Sequence, residues 1–397
     1  MIMPQKFHTI IVYPVLQPDL IVAIVLLKKF GEKRFPGISK AKLEFRTELP
    51  KGETAESLER KGIICLDMGG GRFDHHREKR EEEIYSVSDL VAQALKISDD
   101  PTFEKILTYA RRDDLEGKGT ISRDPIDRAF GMSALVQNLN RAYPKDPQKV
   151  LETVAPFFLA HIKEEEKRAH EYPKEYMKRY DEKKVDAFIV PQLQKQVRCI
   201  TIESDVQGMV GFLRAHPEIQ ADVVVQRLSS GHTNIVTRQW RKIDLRDVVA
   251  IIRTEEARKK RIPFDKLNWK ELFNKGKMKG IEEWYYDTAA NSLQNGGMLP
   301  EQVKPTSLEL KDIKRALKIG LNYKILHPKC PRTHCLLKKC PYYFYNLLRC
   351  RRIRMAEKYK ARESKEKKET QKPEKKKVTV KKTKASEEKT EIKKTKR

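Results

Sequence analysis

The stretch Leu66-Asp-Met-Gly-Gly-Gly-Arg-Phe-Asp-His-His76 sets two carboxylates and two imidazoles close together around three consecutive glycines. The short apolar run Gly62–Leu66 before it is expected to be a buried parallel strand, which puts Asp67 at the carboxyl end, where open α/β sheets place their ligands. Asp74, His75 and His76 follow soon enough to fold over the same spot. Carboxylates mixed with imidazole suit Mn²⁺ or a similar divalent ion, which activates water and clamps phosphate oxygens. The plainer reading is a solvated histidine pair in a loop and a carboxylate that caps a helix. The strand, the aspartate and the glycine run in front of the tripeptide favour the metal.

Two further groupings could do chemistry. Ser229-Ser-Gly-His232 lies between two strand-like runs, so Ser229, Ser230, Gly231 and His232 could present amides, hydroxyls and a ring to a phosphate, with Arg238 and Arg241 downstream to help. A hairpin turn would have the same composition. Cys330, Cys335, Cys340 and Cys350 supply four thiols within 21 residues, and His327 and His334 lie among them. The first expectation is a structural Zn²⁺, because so small and basic a segment needs metal to fold; an Fe–S cluster is second and unliganded thiols third. Between Ile313 and Ala356 there are 12 Lys or Arg and no acid, interleaved with Tyr342-Tyr-Phe-Tyr345, a composition fit for base stacking beside phosphate contacts.

These residues need elements to hold them. His8–Tyr13 reads as a strand and Leu20–Phe30, apolar on all sides, as a buried helix. Helical patterns follow at Val87–Ile97, Thr102–Ala110 and Asp127–Tyr143, then a long one at Lys149–Tyr180 that Pro173 breaks or kinks. Strands are expected near Asp186–Val190, Arg198–Ile202, Ala221–Leu228 and Asn234–Arg238. Helices are expected at Gln207–Arg214, Leu245–Arg258 and Ser307–Ile319, the last capped by Ser307. Cys65 and Cys199 sit in strand-like runs as ordinary core residues. The chain thus reads as α/β in four parts: a parallel-sheet domain over 1–180, a second, smaller α/β domain over 185–300, a helix with a Cys-rich basic module over 307–356, and a disordered Lys-rich tail over 363–397.

The chain has 397 residues, of which 39% are hydrophobic, enough for real cores. Its 83 Lys and Arg against 56 Asp and Glu leave +27, which points to a polyanionic partner, most often RNA or DNA. Arg351–Arg397 holds about half of that excess, so the body is basic as well. The most apolar stretch, Phe7–Leu27, contains Pro14, Pro18 and Asp19 and is no membrane span. With no signal-like start, a cytoplasmic location is expected.

The Asp-Met-Gly-Gly-Gly run and the Asp-His-His tripeptide resemble the DHH phosphoesterase superfamily, in particular the exonuclease branch once called metal-dependent protein hydrolases. The likeness covers 1–180 and, more weakly, 185–300. It implies a parallel-sheet domain, a smaller second domain, two Mn²⁺ (or Mg²⁺) ions and hydrolysis of phosphodiesters or phosphoanhydrides. By that resemblance Asp67 is the bridging carboxylate, His75 a metal ligand, His76 a contact to substrate phosphate, and Asp74 the residue that orients the histidines. A later family aspartate fits Asp114 in preference to its neighbour Asp113, and Asp127 stands between such a role and a helix N-cap. The family's second-domain loop matches Ser229–His232. The first family motif is degraded: in Val12-Tyr-Pro-Val-Leu-Gln-Pro-Asp19 only Asp19 remains, Gln17 holds the intermediate position, and no histidine precedes it. One metal site therefore keeps Asp19, Asp67, His75 and Asp114, and the other loses its own ligands. The resulting expectation is a metal-dependent phosphohydrolase acting on nucleic acid or oligonucleotides. The alternative is a catalytically impaired, DHH-like nucleic-acid-binding protein.

Overall fold

The computed structural model describes residues 5–76, 85–263, 266–268, 270–296, 302–323 and 342–351. They form a mixed α/β protein, and the chain groups into two compact units, Met1–Phe188 with Arg198–Gly231 and Ile189–Val197 with His232–Arg397.

The first unit opens with β1 (Thr9–Val12), buried at every position, and α1 (Pro18–Phe30), which starts with Pro18 in its first turn and has ten buried residues. A helix apolar all round must be surrounded. The core around it includes residues of β2 (Lys42–Phe45) and of the β3 segment (Ile63–Cys65), and α3 (Val87–Leu95), α4 (Pro101–Glu116) and α7 (Pro147–Glu166) enclose it directly, whereas α2 (Ala55–Arg60) puts Ala55 and Leu58 into a separate cluster with Ile11 and Cys65. The sheet is parallel with order β2-β1-β3, so β1 is central and Thr9 pairs with both Lys42 and Ile63. The carboxyl ends of β1 and β3 thus lie side by side, and Asp19 and Asp67 come from the segments that leave them.

Next come α5 (Pro125–Ala129) and α6 (Met132–Ala142), where the sequence predicts one helix over Asp127–Tyr143. Asp124 caps α5 through the amide of Ile126, with Pro125 in the first turn, and Gly131 caps α6; the break falls at Phe130–Gly131. Asp127 is therefore inside α5 and not its cap; its carboxylate accepts the Ser122 hydroxyl. The long helix is α7 (Pro147–Glu166), a π-turn over Lys167–Glu171, and α8 (Tyr172–Asp181). Pro173 has no amide for the preceding turn, and the wide turn just before it absorbs that loss.

The chain continues through β4 (Val185–Gln192), β5 (Lys195–Glu203), α9 (Met209–Ala215) and β6 (Val223–Arg227), with β5 and β6 parallel. Cys65 and Cys199 are buried core residues, and burial raises the thiol pKa to about 11 and about 12 respectively. In the second unit β7 (Thr233–Thr237) leads to α10 (Arg246–Lys259), β8 (Gly276–Met278), β9 (Ile281–Asp287) and β10 (Ser292–Gln294); β10 pairs antiparallel with both β7 and β9, and β8 pairs antiparallel with β9. Helix α11 (Leu310–Leu321) is capped by Glu309 and Asp312 in a reciprocal box, not by Ser307, whose amide instead donates to the buried Glu256. The segment 342–351 packs on the same core, with Tyr345 1% exposed and its hydroxyl on Glu255, and with the Leu348 amide on the buried Asp247.

Among the described residues no helix is long and apolar enough to cross a membrane. Cys330, Cys335, Cys340 and the 363–397 tail lie outside the described residues.

Candidate metal centre

Asp67 leaves β3 in the left-handed region, φ +56°, which is rare for a residue with a side chain and is paid for by its amide bond to the Phe73 carbonyl, 2.8 Å. That bond closes the glycine loop on itself. Gly69 and Gly70 are both left-handed, and a Cβ on Gly71 would meet the Ala55 Cβ at 2.5 Å, so α2 packs directly against the loop.

The loop delivers Asp74, His75 and His76. Asp74 is 8% exposed and accepts the amides of Gly70 (2.7 Å) and His76 (3.0 Å). Burial opposes its ionisation, but the two amides and the His76 ring hold its carboxyl below the ordinary range. His76 Nδ1 is 3.1 Å from Asp74, and the two imidazoles stack with centroids 4.1 Å apart. His75 is the inner ring and His76 the outer, its side chain 67% exposed.

Around His75 the acids converge. Nδ1 lies 3.1 Å from Asp67, and Nε2 lies 3.6 Å from Asp114. Donor atoms of Asp67, His75 and His76 fall within 4.8 Å of one another. Asp19, 1% exposed in the first turn of α1, completes the group electrostatically: burial first, then the charges of Asp114 and Asp67, raise its pKa to about 8. Burial likewise raises Asp114, whereas the Asp67 carboxylate beside it pushes the His75 ring upward against the effect of burial. Asp114 also stands in the last turn of α4, which has no basic residue, although the helix dipole there favours cations.

One observation tests whether these residues fit a cation. Asp19 Oδ2, Asp67 Oδ1, His75 Nδ1 and Asp114 Oδ2 are buried and have no hydrogen-bond partner outside this acid–histidine cluster. Buried carboxylate oxygens normally have donors; here they face one another and an imidazole. A divalent ion supplies the missing positive charge and reverses the repulsion. By distance the donors are Asp67, His75 and His76, with Asp114 3.6 Å from His75 and Asp19 coupled to them by charge, a mixture of carboxylate and imidazole that suits Mn²⁺ or a similar divalent ion.

Several positioning residues carry no motif. Asp89 on α3 takes a bidentate bond from Arg111 of α4 (2.7 and 2.9 Å), which fixes the helix one turn before Asp114. Asp113, next to Asp114, is turned instead to the Ser133 hydroxyl, so of the two neighbours Asp114 faces His75. Asn140 bonds both backbone groups of Leu16, holding the loop that runs into Asp19. Gln17, exposed, precedes α1 without a side-chain cap bond and helps line a cleft of about 490 Å³ with Asp114, Thr120, Arg128, Ser133 and Asn140.

The phosphate loop proposed from sequence is partly committed elsewhere. His232 is 7% exposed with Nε2 2.7 Å from the Val303 carbonyl, and the Ser229 amide donates to Asp205. Ser229 and Ser230 are exposed, Gly231 is left-handed (φ +85°), and Arg238 is half-buried. Cys350 alone of the four clustered cysteines is among the described residues.

No family model matches the chain, and no curated protein matches it. An uncharacterized protein from Helicobacter pylori G27 is a structural match at 11% identity, covering 80% of this chain and 99% of that one, with a TM-score of 0.22, too low to carry an argument about fold.

Proposed function

We propose that the chain is a metal-dependent phosphohydrolase of the DHH type, acting on phosphodiester bonds of nucleic acid or oligonucleotides. The reading is carried by the convergence of Asp19, Asp67, His75 and Asp114, whose buried oxygens and nitrogen have no hydrogen-bond partner outside the acid–histidine cluster. Those four would hold Mn²⁺ or Mg²⁺. When bound, the ion lowers the pKa of a water and neutralises phosphate oxygens. Asp74 holds the Nδ1 side of His76, which leaves the other side of that exposed ring for a substrate phosphate oxygen. Asp67 would keep the His75 ring oriented. The neighbouring cleft, with Arg128 as its cation, has the size of a small-molecule site and would take the organic part of the substrate. The basic C-terminal region would add nucleic-acid contacts, and the four cysteines a Zn²⁺ site.

The test is Mn²⁺ binding by calorimetry, alongside hydrolysis of a generic phosphodiester and a short oligonucleotide. Asp67→Ala should lose metal and turnover together; undiminished turnover in that variant, free of contaminating nuclease, rejects the assignment. Because Gln17 offers only a neutral amide at the degraded motif, a catalytically impaired nucleic-acid binder remains the second reading. Metal bound without any turnover would identify it.

A further inference from the structure

Among the described residues of the second unit, Trp240 is the most exposed large aromatic. It is 69% exposed, whereas Trp284 in the same unit is fully buried with its indole N–H on Glu256. An exposed indole contributes nothing to the core, and tryptophan on a surface is characteristic of contact sites. Cations surround it. The guanidinium of Arg241 lies 5.5 Å from the ring centroid and that of Arg238 lies 5.7 Å away. Lys242 follows, and no acidic residue occurs between Leu228 and Ile243.

The turn that carries Trp240 is tied down by hydrogen bonds. Gln239–Arg241 forms a 3₁₀ turn that ends at Lys242, itself left-handed at φ +48°. Lys195 Nζ donates to the carbonyls of Arg241 (2.6 Å) and Lys242 (3.2 Å), and Arg241 donates to the Gln196 carbonyl. These bonds tie the turn to the tip of the β4–β5 hairpin, where Leu193 is 72% exposed, and they bring a fourth cation, Lys195, to the patch. Fixing an aromatic in place before a ligand arrives lowers the ordering cost of binding.

We propose that Trp240, Arg238 and Arg241 form a binding site for single-stranded nucleic acid, with a base stacked on the indole and the adjacent cations on the backbone phosphates. Stacking is sequence-tolerant because every base has a π-face, and the arginines serve both as phosphate partners and as stacking neighbours. A protein partner would also use Trp and Arg, but the local excess of positive charge and the +27 of the whole chain favour a polyanion. The inference shares its ligand class with the proposed function and is independent of the metal site.

The experiment uses the full chain with Asp67→Ala and EDTA present, so that neither metal nor turnover contributes. Binding of a fluorescein-labelled dT₁₅ or U₁₅ is followed by anisotropy, and tryptophan emission is followed with unlabelled oligonucleotide. Trp240→Ala should weaken binding by about fivefold to 150-fold, the range for losing one stacked base, and should abolish the emission quench seen with Trp240 in place. Arg238→Ala with Arg241→Ala should flatten the dependence of log K on log salt by about 1.4, for two phosphates of a single strand. A Trp240→Ala protein that keeps its melting temperature and binds as tightly overturns the proposal, as does a quench that persists without Trp240. Conversion of an oligomer to a monomer by Trp240→Ala, at unchanged oligonucleotide affinity, also overturns it and makes the patch a contact between copies.

Discussion

Asp67 and Asp114 each violate a local rule, one by its left-handed backbone and the other by placing negative charge at the C-terminal end of a helix. Such conflicts concentrate where function outweighs stability. Asp19 adds a third, a carboxyl buried among two others and pushed to a pKa of about 8. With that pKa the carboxyl is mostly protonated in the metal-free fold at neutral pH, a cost relative to the ionised unfolded chain, so an amide in its place should help the metal-free protein and harm the loaded one. In EDTA, Asp19→Asn is expected to melt no lower than wild type. With Mn²⁺ at 100 times its Kd, wild type should gain about 2.7 kcal/mol and the variant markedly less. An equal gain in both, measured by thermal shift, removes Asp19 from the ligand set. Asp67, Asp74, His75 and His76 were legible because they are contiguous and their types are chemically unusual together. Asp89, Arg111 and Asn140 were not, since each is an ordinary helix residue until the fold sets it against its partner.

At the scale of elements, strong patterns survived and weak ones did not. The apolar-all-round helix and the two short β-branched runs stand where periodicity puts them, as α1, β1 and β3. By contrast β2 has one exposed and three half-buried positions, and α2 spans six residues, too little for either period to register. The split between α5 and α6 was written in Asp124-Pro125, just ahead of the pattern Asp127–Tyr143, and Gly131 inside it, two capping signals. The tight junction of α2 with the glycine loop yields a prediction. Gly71→Ala puts its Cβ against that of Ala55, so the loop must shift. The variant should lose about 1–3 kcal/mol in denaturant unfolding, and Mn²⁺ affinity with it. Combining it with Ala55→Gly should restore metal affinity; failure to do so would mean that the loop, not its packing on α2, sets the geometry.

On the scale of the whole molecule, part of the basic C-terminal stretch is built into the fold. Residues 342–351 belong to the folded second unit, for Tyr345 is buried, Leu348 N–H and Arg349 satisfy Asp247, and Arg349 also donates to the Ile319 carbonyl. Tyr345 is thereby withdrawn from the set of aromatics that sequence offers for base stacking. A truncation before Ile325 would strip these partners and leave Asp247 buried without its cation, a loss of several kcal/mol that would confound any binding measurement. Truncation after Arg351 avoids this and still removes 20 Lys or Arg against 8 acids. That protein should melt close to the full chain and retain Trp240-dependent quenching. Its oligonucleotide affinity should fall most at low salt, with a flatter log K against log salt, because the tail contributes through counterion release and Trp240 through stacking. Elemental analysis of the full chain should find about one Zn per molecule, lost in Cys335→Ser without a change in Mn²⁺ binding, since structural zinc stabilises only the segment it ligates. If truncation after Arg351 leaves both the affinity and the salt slope unchanged, nucleic acid is held by the folded units alone, and the basic tail has no part in anchoring it.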